Sequence, residues 1–507
     1  MDPARTTDGS AADRSPLLTI LLLGVTAGIS VGDVSITNTA LVEASSDLGM
    51  SASMQALAAS TASLALAASV IPTGFLADRA GRRRVLVGAA ILVIVGDIVT
   101  ALSPVAAVFL AGRAISGVAL GIAFSASFAY VRTVAGDARV GRALGRFTAA
   151  YWGVAAILAF AGGALATVGW RLAYVVVPLA ALLWLLVAPR RLPAVPREVG
   201  RPVDGAGIVV LATAMVVLLL GLSAVSTRAD QAITWILVGA GIVGLGVFVA
   251  VEHRVAAPLI PPRLFRDPVF IGAALAGIAF GFAFSVAGLQ VANLWQYVDR
   301  LDTLVVSLGQ LPISLAAMVG ALVAGAVLSR GTAPRTLMTG GMGMIVVALL
   351  LLAALPERAA FWLFVPGLIG IGLGSTIVLT PQGQLFLEHA PPESYGSVTS
   401  SRLSFSQLGN SMGLAGGTAL ISVLTVGGVT RQLVAAGVPP SQTGEAIGEV
   451  LQFVRTGAHP STSVAQEALA DAAASYSQAF DLTLVIVAAL IALVGAACWR
   501  LLRPHRA

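Results

Sequence analysis

Runs of about 20 apolar residues recur from one end of this sequence to the other, and a run of that length crosses a bilayer as one helix. Nothing else constrains the chain so strongly. Backbone polar groups cannot be left open in hydrocarbon, so each run must be helical or part of a closed barrel, and the length of the runs selects helices. Fourteen spans are predicted: 16–43, 51–77, 84–103, 105–131, 142–167, 170–188, 205–227, 232–252, 268–298, 303–329, 335–355, 360–388, 396–426 and 480–502. Composition agrees. Of the 507 residues 57% are hydrophobic and 11% charged, with a mean hydropathy of +0.92, against about 25% charged in soluble domains.

The net charge of +6 does not indicate a nucleic-acid partner, because the basic residues stand singly or in short groups between apolar runs. Their placement orients the chain instead. With fourteen spans, 23 of the 30 basic residues fall on the side that carries both termini and six on the other, while Arg113 lies inside a span. Loops rich in arginine stay in the cytoplasm, so both termini are expected there. The single cysteine, Cys498, excludes a disulfide. The polar first 15 residues and the lack of a cleavage site make the first run a retained helix rather than a signal peptide.

Two proline- and arginine-rich segments, 189–204 and 253–268, divide the spans. The expected organisation is a six-helix lobe over 1–188, linkers with two extra helices over 189–267, and a second six-helix lobe over 268–507. An extracytoplasmic insert, 427–479, interrupts that second lobe. "GFLADRAGRRRVL" from Gly74 aligns with "GAVLSRGTAPRTL" from Gly325, matching Gly74, Arg79, Arg84 and Leu86 with Gly325, Arg330, Arg335 and Leu337. "FAGGALA" from Phe160 echoes "LAGGTAL" from Leu414. Such echoes at corresponding spans are expected of a transporter built from repeats. In the insert, Ile447, Val450, Leu451 and Val454 have helical spacing, and Ser463 with Gln466 has the form of a capping box. Two short helices on the outer face are expected.

The stretch Gly74-Phe-Leu-Ala-Asp78-Arg79-x-Gly81-Arg82-Arg83 is similar to the G-x-L-a-D-R-x-G-R-[RK] signature of the major facilitator superfamily, in the loop after span two. Fourteen spans resemble, further, its drug:proton antiporter family of QacA- and EmrB-like exporters. "DVSITNTAL" (Asp33 to Leu41) resembles that family's first-helix motif. Arg113-Ala-Ile-Ser116-Gly117 resembles its fourth-helix motif R-x-x-Q-G, with Ser116 in place of glutamine. Pro391-Pro-Glu393 to Gly396 and Ser406 to Ala415 resemble its approach to span thirteen. One departure stands out: the span-five signature has G-P before its paired glycines, and here Leu158 and Ala159 precede Gly162 and Gly163. The resemblance implies an all-α polytopic membrane protein of the major facilitator fold, with two six-helix lobes plus two extra helices. It further implies a proton-coupled, multidrug-type exporter of lipophilic compounds, cationic ones included, in the plasma membrane of a bacterium.

Residue roles follow from position and from that resemblance. An intramembrane carboxylate costs about 2.5–3.5 kcal/mol on insertion scales and faces a pathway or a partner, which makes Asp33 the expected proton carrier and Arg113 its partner; a structural ion pair or a capping role is the alternative for Asp33. Making and breaking the Asp33–Arg113 pair would couple protons to the conformational cycle; an arginine tied to backbone carbonyls is the alternative. Asp97, in span three, is open between a proton or substrate site and a contact with polar neighbours. Asn38, Gln290, Asn293, Trp295, Gln382 and Gln384 are candidate cavity residues, with helix–helix hydrogen bonds the competing role. Gly74, Asp78, Arg79, Gly81, Arg82 and Arg83 form the expected conformational-switch loop, and Gly117, Gly162 and Gly163 the expected helix-packing positions.

No cofactor or metal is expected beyond a proton gradient as energy source. The expected partners are membrane lipids, protons and a small lipophilic substrate, with no nucleic acid and a monomeric chain. Four histidines, none well inside a span, offer no acid–histidine or cysteine–histidine cluster for catalysis, so an enzyme is not expected. A lipid or metabolite exporter, or a uniporter or importer of the same fold, remains the alternative.

Overall fold

One glycine turns the chain between its second and third long helices. In the computed structural model, α2 (Ala52–Ala80) and α3 (Arg82–Ala101) are separated by Gly81 alone. Its φ of 93° is a backbone region that glycine occupies freely and other residues avoid. Its N–H bonds the Ala77 carbonyl, and its own carbonyl accepts from Arg84 and Val85, so both helix ends close on this residue. The expected loop is therefore almost wholly helical.

The structure describes residues 16–50, 52–136, 139–193, 204–228, 231–255, 258–299, 301, 303–356, 359–390, 395–439, 442–447 and 461–503, and no strand occurs among them. Arg5, Arg14, Pro391 to Glu393, and Val450, Leu451 and Val454 lie outside the described residues, as do the side chains of Asn38 and Asp78. Among the described residues fourteen helical segments are long and apolar enough to cross a membrane, one at each expected span.

Besides α2 and α3, the first part of the chain comprises α1 (Pro16–Asp47), α4 (Ala106–Ala135), α5 (Val140–Ala166), a short α6 (Trp170–Ala173) and α7 (Val176–Arg191). Glycines let these helices meet at their backbones. Gly24, Gly28 and Gly32, four residues apart, receive Ala150, Val154 and Leu158 of α5, which is small-residue packing of the kind membrane helices use when burial of apolar surface cannot drive them together. Gly162 in turn receives Ile36, and Gly117 sits on the Ala62 carbonyl of α2. Gly163 meets open space, so the expected pair of packing glycines reduces to one. Leu158, at the departure from the G-P pattern, fills the notch at Gly32, and α5 runs unbroken.

Span six is broken where one helix was expected. Pro178 has no N–H to give the carbonyl four residues back, so the chain turns at Tyr174 and Val175 between α6 and α7. The same chemistry at Pro312 divides span ten into α11 (Thr303–Gly309) and α12 (Leu311–Leu328).

The remaining helices are α8 (Gly205–Arg228), α9 (Ala232–Glu252), α10 (Pro268–Tyr297), α13 (Pro334–Ala353), α14 (Val365–His389), α15 (Tyr395–Ala435) and α16 (Ser463–Leu501). The pair α8–α9 packs on itself through Gly221, Gly241 and Gly244. At its end, Asp204 and Glu252 are both buried. One oxygen of each accepts a backbone N–H, from Gly207 and Ile260, and the other has no donor among the described residues.

The insert differs from the expected pair of surface helices. Its second half is the start of α16, a continuous 39-residue helix. The Thr462 side chain caps it by accepting from the Ala465 N–H at 3.2 Å, one residue before the expected capping box. Ala465, Val464 and Ala472 pack with Val429 and Leu433 of α15, and with Val438, Ala446 and Ile447 between them. Both helices thus continue past their spans to build a small core of their own.

By compactness the chain divides into one unit of Met1–Val203 with Ala321–Gly331 and Leu387–Ser400, and a second of Asp204–Gly320, Thr332–Phe386 and Ser401–Ala507.

Candidate functional site

Three charged side chains meet in the middle of the first six spans. The Arg113 guanidinium grips Asp33 with two bonds, Nη1 to Oδ1 at 2.9 Å and Nη2 to Oδ2 at 2.6 Å. The fork matches a carboxylate in this bidentate geometry. Nη1 also reaches Asp97 Oδ1 at 3.2 Å, and that oxygen accepts from the Ser116 hydroxyl at 2.5 Å. All four residues are 0% exposed.

Local sequence explains the approach. Asp97 follows Gly96 on α3, and Arg113 follows Gly112 on α4. A methyl group built on Gly96 would lie 2.5 Å from the Ser116 hydroxyl, and one on Gly112 2.4 Å from that of Thr100. Side chains at either position would hold the helices apart and take Asp97 out of reach. Asp33 likewise follows Gly32, the third glycine of the α1 stripe. Each charged residue of the cluster is thus preceded by a glycine at a helix contact.

Tyr174 stands over the cluster, its ring centroid 5.3 Å from Arg113 Cζ, within range of a cation–π attraction. The break made by Pro178 places it there. Tyr174, Phe109 and Trp170 stack edge to face at 5.6–6.2 Å. Beyond them the Trp170 indole and Arg171 both donate to Asp47 Oδ2, at 3.1 and 2.5 Å, and Arg171 also donates to the Ser103 carbonyl. The Arg171 guanidinium, followed by the Trp170 indole, holds the Asp47 carboxyl below the usual carboxylate range. An aromatic cluster therefore lies between an exposed ion pair and the buried charges.

Two polar atoms of the cluster have no hydrogen-bond partner among the described residues: Asp97 Oδ2 and Arg113 Nε. Among the described residues no group of three or more metal-ligating side chains is assembled.

The other expected residues are placed differently. Arg82 is 8% exposed, and its Nη1 donates to the Ala129 carbonyl and the Thr133 hydroxyl at 3.0 and 2.7 Å, pinning the start of α3 to α4. Arg79 is exposed, Arg83 half-buried and Gly74 buried. Gln290 bonds Thr418 of α15, Asn293 donates to Gln290, and the Tyr476 hydroxyl of α16 donates to Gln290 as well. Gln382 is fully buried and donates to the Ala273 carbonyl of α10; Gln384 is half-buried, two residues on. Trp295 is 1% exposed and packed against Phe361 and Phe364 at 4.6 and 5.4 Å. Trp295, Gln290 and Gln382 are thus enclosed between helices rather than set on an open wall. Ser116 and Tyr174 went unassigned; the R-x-x-S variant was the available signal for the first, and the proline four residues on for the second.

Fourteen membrane-length helices and a buried charge cluster define a multi-pass membrane transporter. The chain belongs to the Major Facilitator Superfamily, whose model matches residues 23–414. It is 26% identical over 500 residues to the multidrug efflux pump LfrA of Mycolicibacterium smegmatis, covering 96% of this chain and 97% of that one. Over 374 residues it is 26% identical to the quinolone resistance protein NorB of Staphylococcus aureus, covering 70% and 78%. An uncharacterized MFS-type transporter of Mycobacterium tuberculosis is 30% identical over 375 residues, 72% of this chain, and the match spans about half of that relative, 53%. Among solved structures, the human organic anion transporter MFSD10 superposes with a TM-score of 0.63 at 16% identity, covering 97% of this chain and 100% of that one. The proton:xylose symporter XylE gives 0.57 at 14%, covering 94% and 95%. At these identities they share the fold.

Proposed function

We propose that this transporter is a proton-coupled exporter of lipophilic compounds, cationic ones included, and that the Asp33–Arg113–Asp97 cluster carries the proton. The observation behind this reading is two buried carboxylates sharing one guanidinium. With both ionised the group has one net negative charge; one bound proton makes it neutral, and uncompensated charge is costly at side chains this deeply buried. Asp97 Oδ2 takes a proton without displacing any existing bond. Protonation at Asp33 instead would break the bidentate grip and free Arg113 for Asp97. A cluster that can hold its proton in two places, with different ties between α1, α3 and α4, can couple proton movement to a change of helix arrangement.

The likeness to LfrA along nearly the whole chain supports export of drug-like compounds. The arginine bias supports both termini in the cytoplasm, and the likeness to bacterial efflux pumps supports residence in a bacterial plasma membrane. In chain order the proposed lobes are 1–188 and 268–507, separated in sequence by the 189–267 segment. The working unit is a monomer, and its energy source is the proton gradient alone.

The test is the purified protein in liposomes under an imposed pH gradient, with lipophilic cationic dyes as probes. Dye moves against the protons in wild-type vesicles and stays at the protein-free background with Asp33→Asn. Gradient-driven dye movement undiminished in both Asp33→Asn and Asp97→Asn refutes the assignment; dye movement without any proton flux refutes the coupling and favours a uniporter.

A further inference from the structure

A groove of about 650 Å³ runs between α13 and α16. Its apolar walls include Met342, Gly343 and Val346 from α13, and Ile491 and Gly495 from α16. Gly343 has open space where a side chain would stand, and Gly495 touches only Met342, so the two glycines hollow it out.

One end of the groove is cationic. The helices are antiparallel there: Trp499, Arg500 and Arg503, near the end of α16, line the groove, and Arg335 in the first turn of α13 meets Trp499. Arg335 lies over the Trp499 ring, its Cζ 3.4 Å from the centroid, and its Nε has no hydrogen-bond partner among the described residues. Among the described residues none of these three arginines forms an ion pair. No acidic residue occurs in α13, and the nearest acid before them on α16 is Asp481, 19 residues from Arg500, or about 28 Å of helix. The positive end of the α13 backbone adds to the same field.

Neighbouring residues on both helices show what surrounds the groove. Val347 and Leu351 on α13 and Leu493 on α16 are more than half exposed, an apolar surface that in a membrane faces acyl chains. Three guanidiniums with no acidic partner among the described residues, at the end of an apolar slot on a face that acyl chains cover, are complementary to one kind of molecule.

We infer that the α13–α16 groove is a binding site for an anionic phospholipid, its headgroup phosphate held by Arg335, Arg500 and Arg503 and an acyl chain lying over Gly343 and Gly495. Basic pockets between membrane helices recognise anionic headgroups in this way. The inference does not depend on what the protein transports.

Native mass spectrometry of the detergent-purified full chain, titrated with phosphatidylglycerol or phosphatidylcholine, tests it. Wild-type protein retains phosphatidylglycerol in preference to phosphatidylcholine. The double variant Arg500→Gln/Arg503→Gln loses that preference, with affinity for phosphatidylglycerol falling about 25-fold, about fivefold for each charge removed. Gly343→Leu keeps every arginine but fills the groove, and it too loses phosphatidylglycerol; a merely basic surface would not notice that change. Equal retention of both lipids by the wild type, or wild-type phosphatidylglycerol binding in Gly343→Leu, overturns the proposal. Displacement of the bound species by a transported dye also overturns it, because the groove is then a substrate site.

Discussion

Gly96 and Gly112 lie backbone against backbone: a methyl group on Gly112 would stand 2.8 Å from the Gly96 carbonyl oxygen, and one on Gly96 3.0 Å from that of Gly112. This contact between α3 and α4 brings Asp97 to Arg113. Gly112→Val must push α3 away at Thr100, where the built carbon is 2.4 Å from the hydroxyl and 2.7 Å from the backbone nitrogen. Overpacking of this kind costs about 1–3 kcal/mol. The expected result is a lower melting temperature together with gradient-driven transport reduced to the level of Asp97→Asn; normal transport would show that the Asp97–Arg113 bond is dispensable.

Asp97→Asn and Arg113→Ala are expected to diverge. The first leaves Arg113 and Asp33 as a balanced pair, so the protein folds and inserts while its transport loses its normal pH dependence. The second leaves two buried carboxylates with no counter-charge, and removing one partner of a buried pair costs about 3–5 kcal/mol. Yield and thermal stability after membrane extraction measure the difference.

At the exposed clasp, Asp47 is held below its ordinary carboxylate value by Arg171 and then by Trp170. A group whose folded value is depressed stabilises the fold above its unfolded value and loses that contribution as pH falls through the folded one. The melting temperature should therefore decline below about pH 4, and Asp47→Asn should flatten that part of the profile. The pair is half exposed, so the effect is small and shrinks in high salt.

Glu252→Gln is expected to stabilise the protein by about 1–2 kcal/mol. The amide oxygen keeps the Ile260 N–H bond, while the amide nitrogen can donate to the Asp204 carboxylate, whose Oδ2 lies with Glu252 Oε1 against Gly207. A lowered melting temperature would mean that a cation or proton already bridges the two acids.

Much of this arrangement is written locally in the chain. Spans declare themselves because length and apolarity are properties of contiguous residues. Asp33 and Arg113 stand out because charge is scarce inside spans. Asp97 stayed ambiguous because its partner depends on which glycines touch across helices, a relation between segments that no single segment carries. The helix breaks at Tyr174 and Gln310 were readable from Pro178 and Pro312, yet proline is tolerated in membrane helices often enough to hide them. The capping of α16 was misplaced by one residue because Thr462 and Ser463 are equivalent caps on paper, and the backbone φ and ψ at Thr462 decide between them. Gln290 and Gln382 stayed open between cavity lining and helix–helix hydrogen bonds because side-chain type reveals polarity and size but not direction.

The single glycine between α2 and α3 also has a mechanical meaning. Two rods of 29 and 20 residues joined by one residue have no slack, since one residue spans about 3.8 Å. Any larger axial slide of α2 must be transmitted to α3 and, through Arg82, to the far end of α4. Gly81 can swivel but cannot stretch, so it works as a pinned joint in a linkage. Gly81→Ala, at a strain of about 1–3 kcal/mol, should stiffen that joint and slow turnover more than it weakens substrate binding, a split that transport rate against half-saturating dye concentration would reveal.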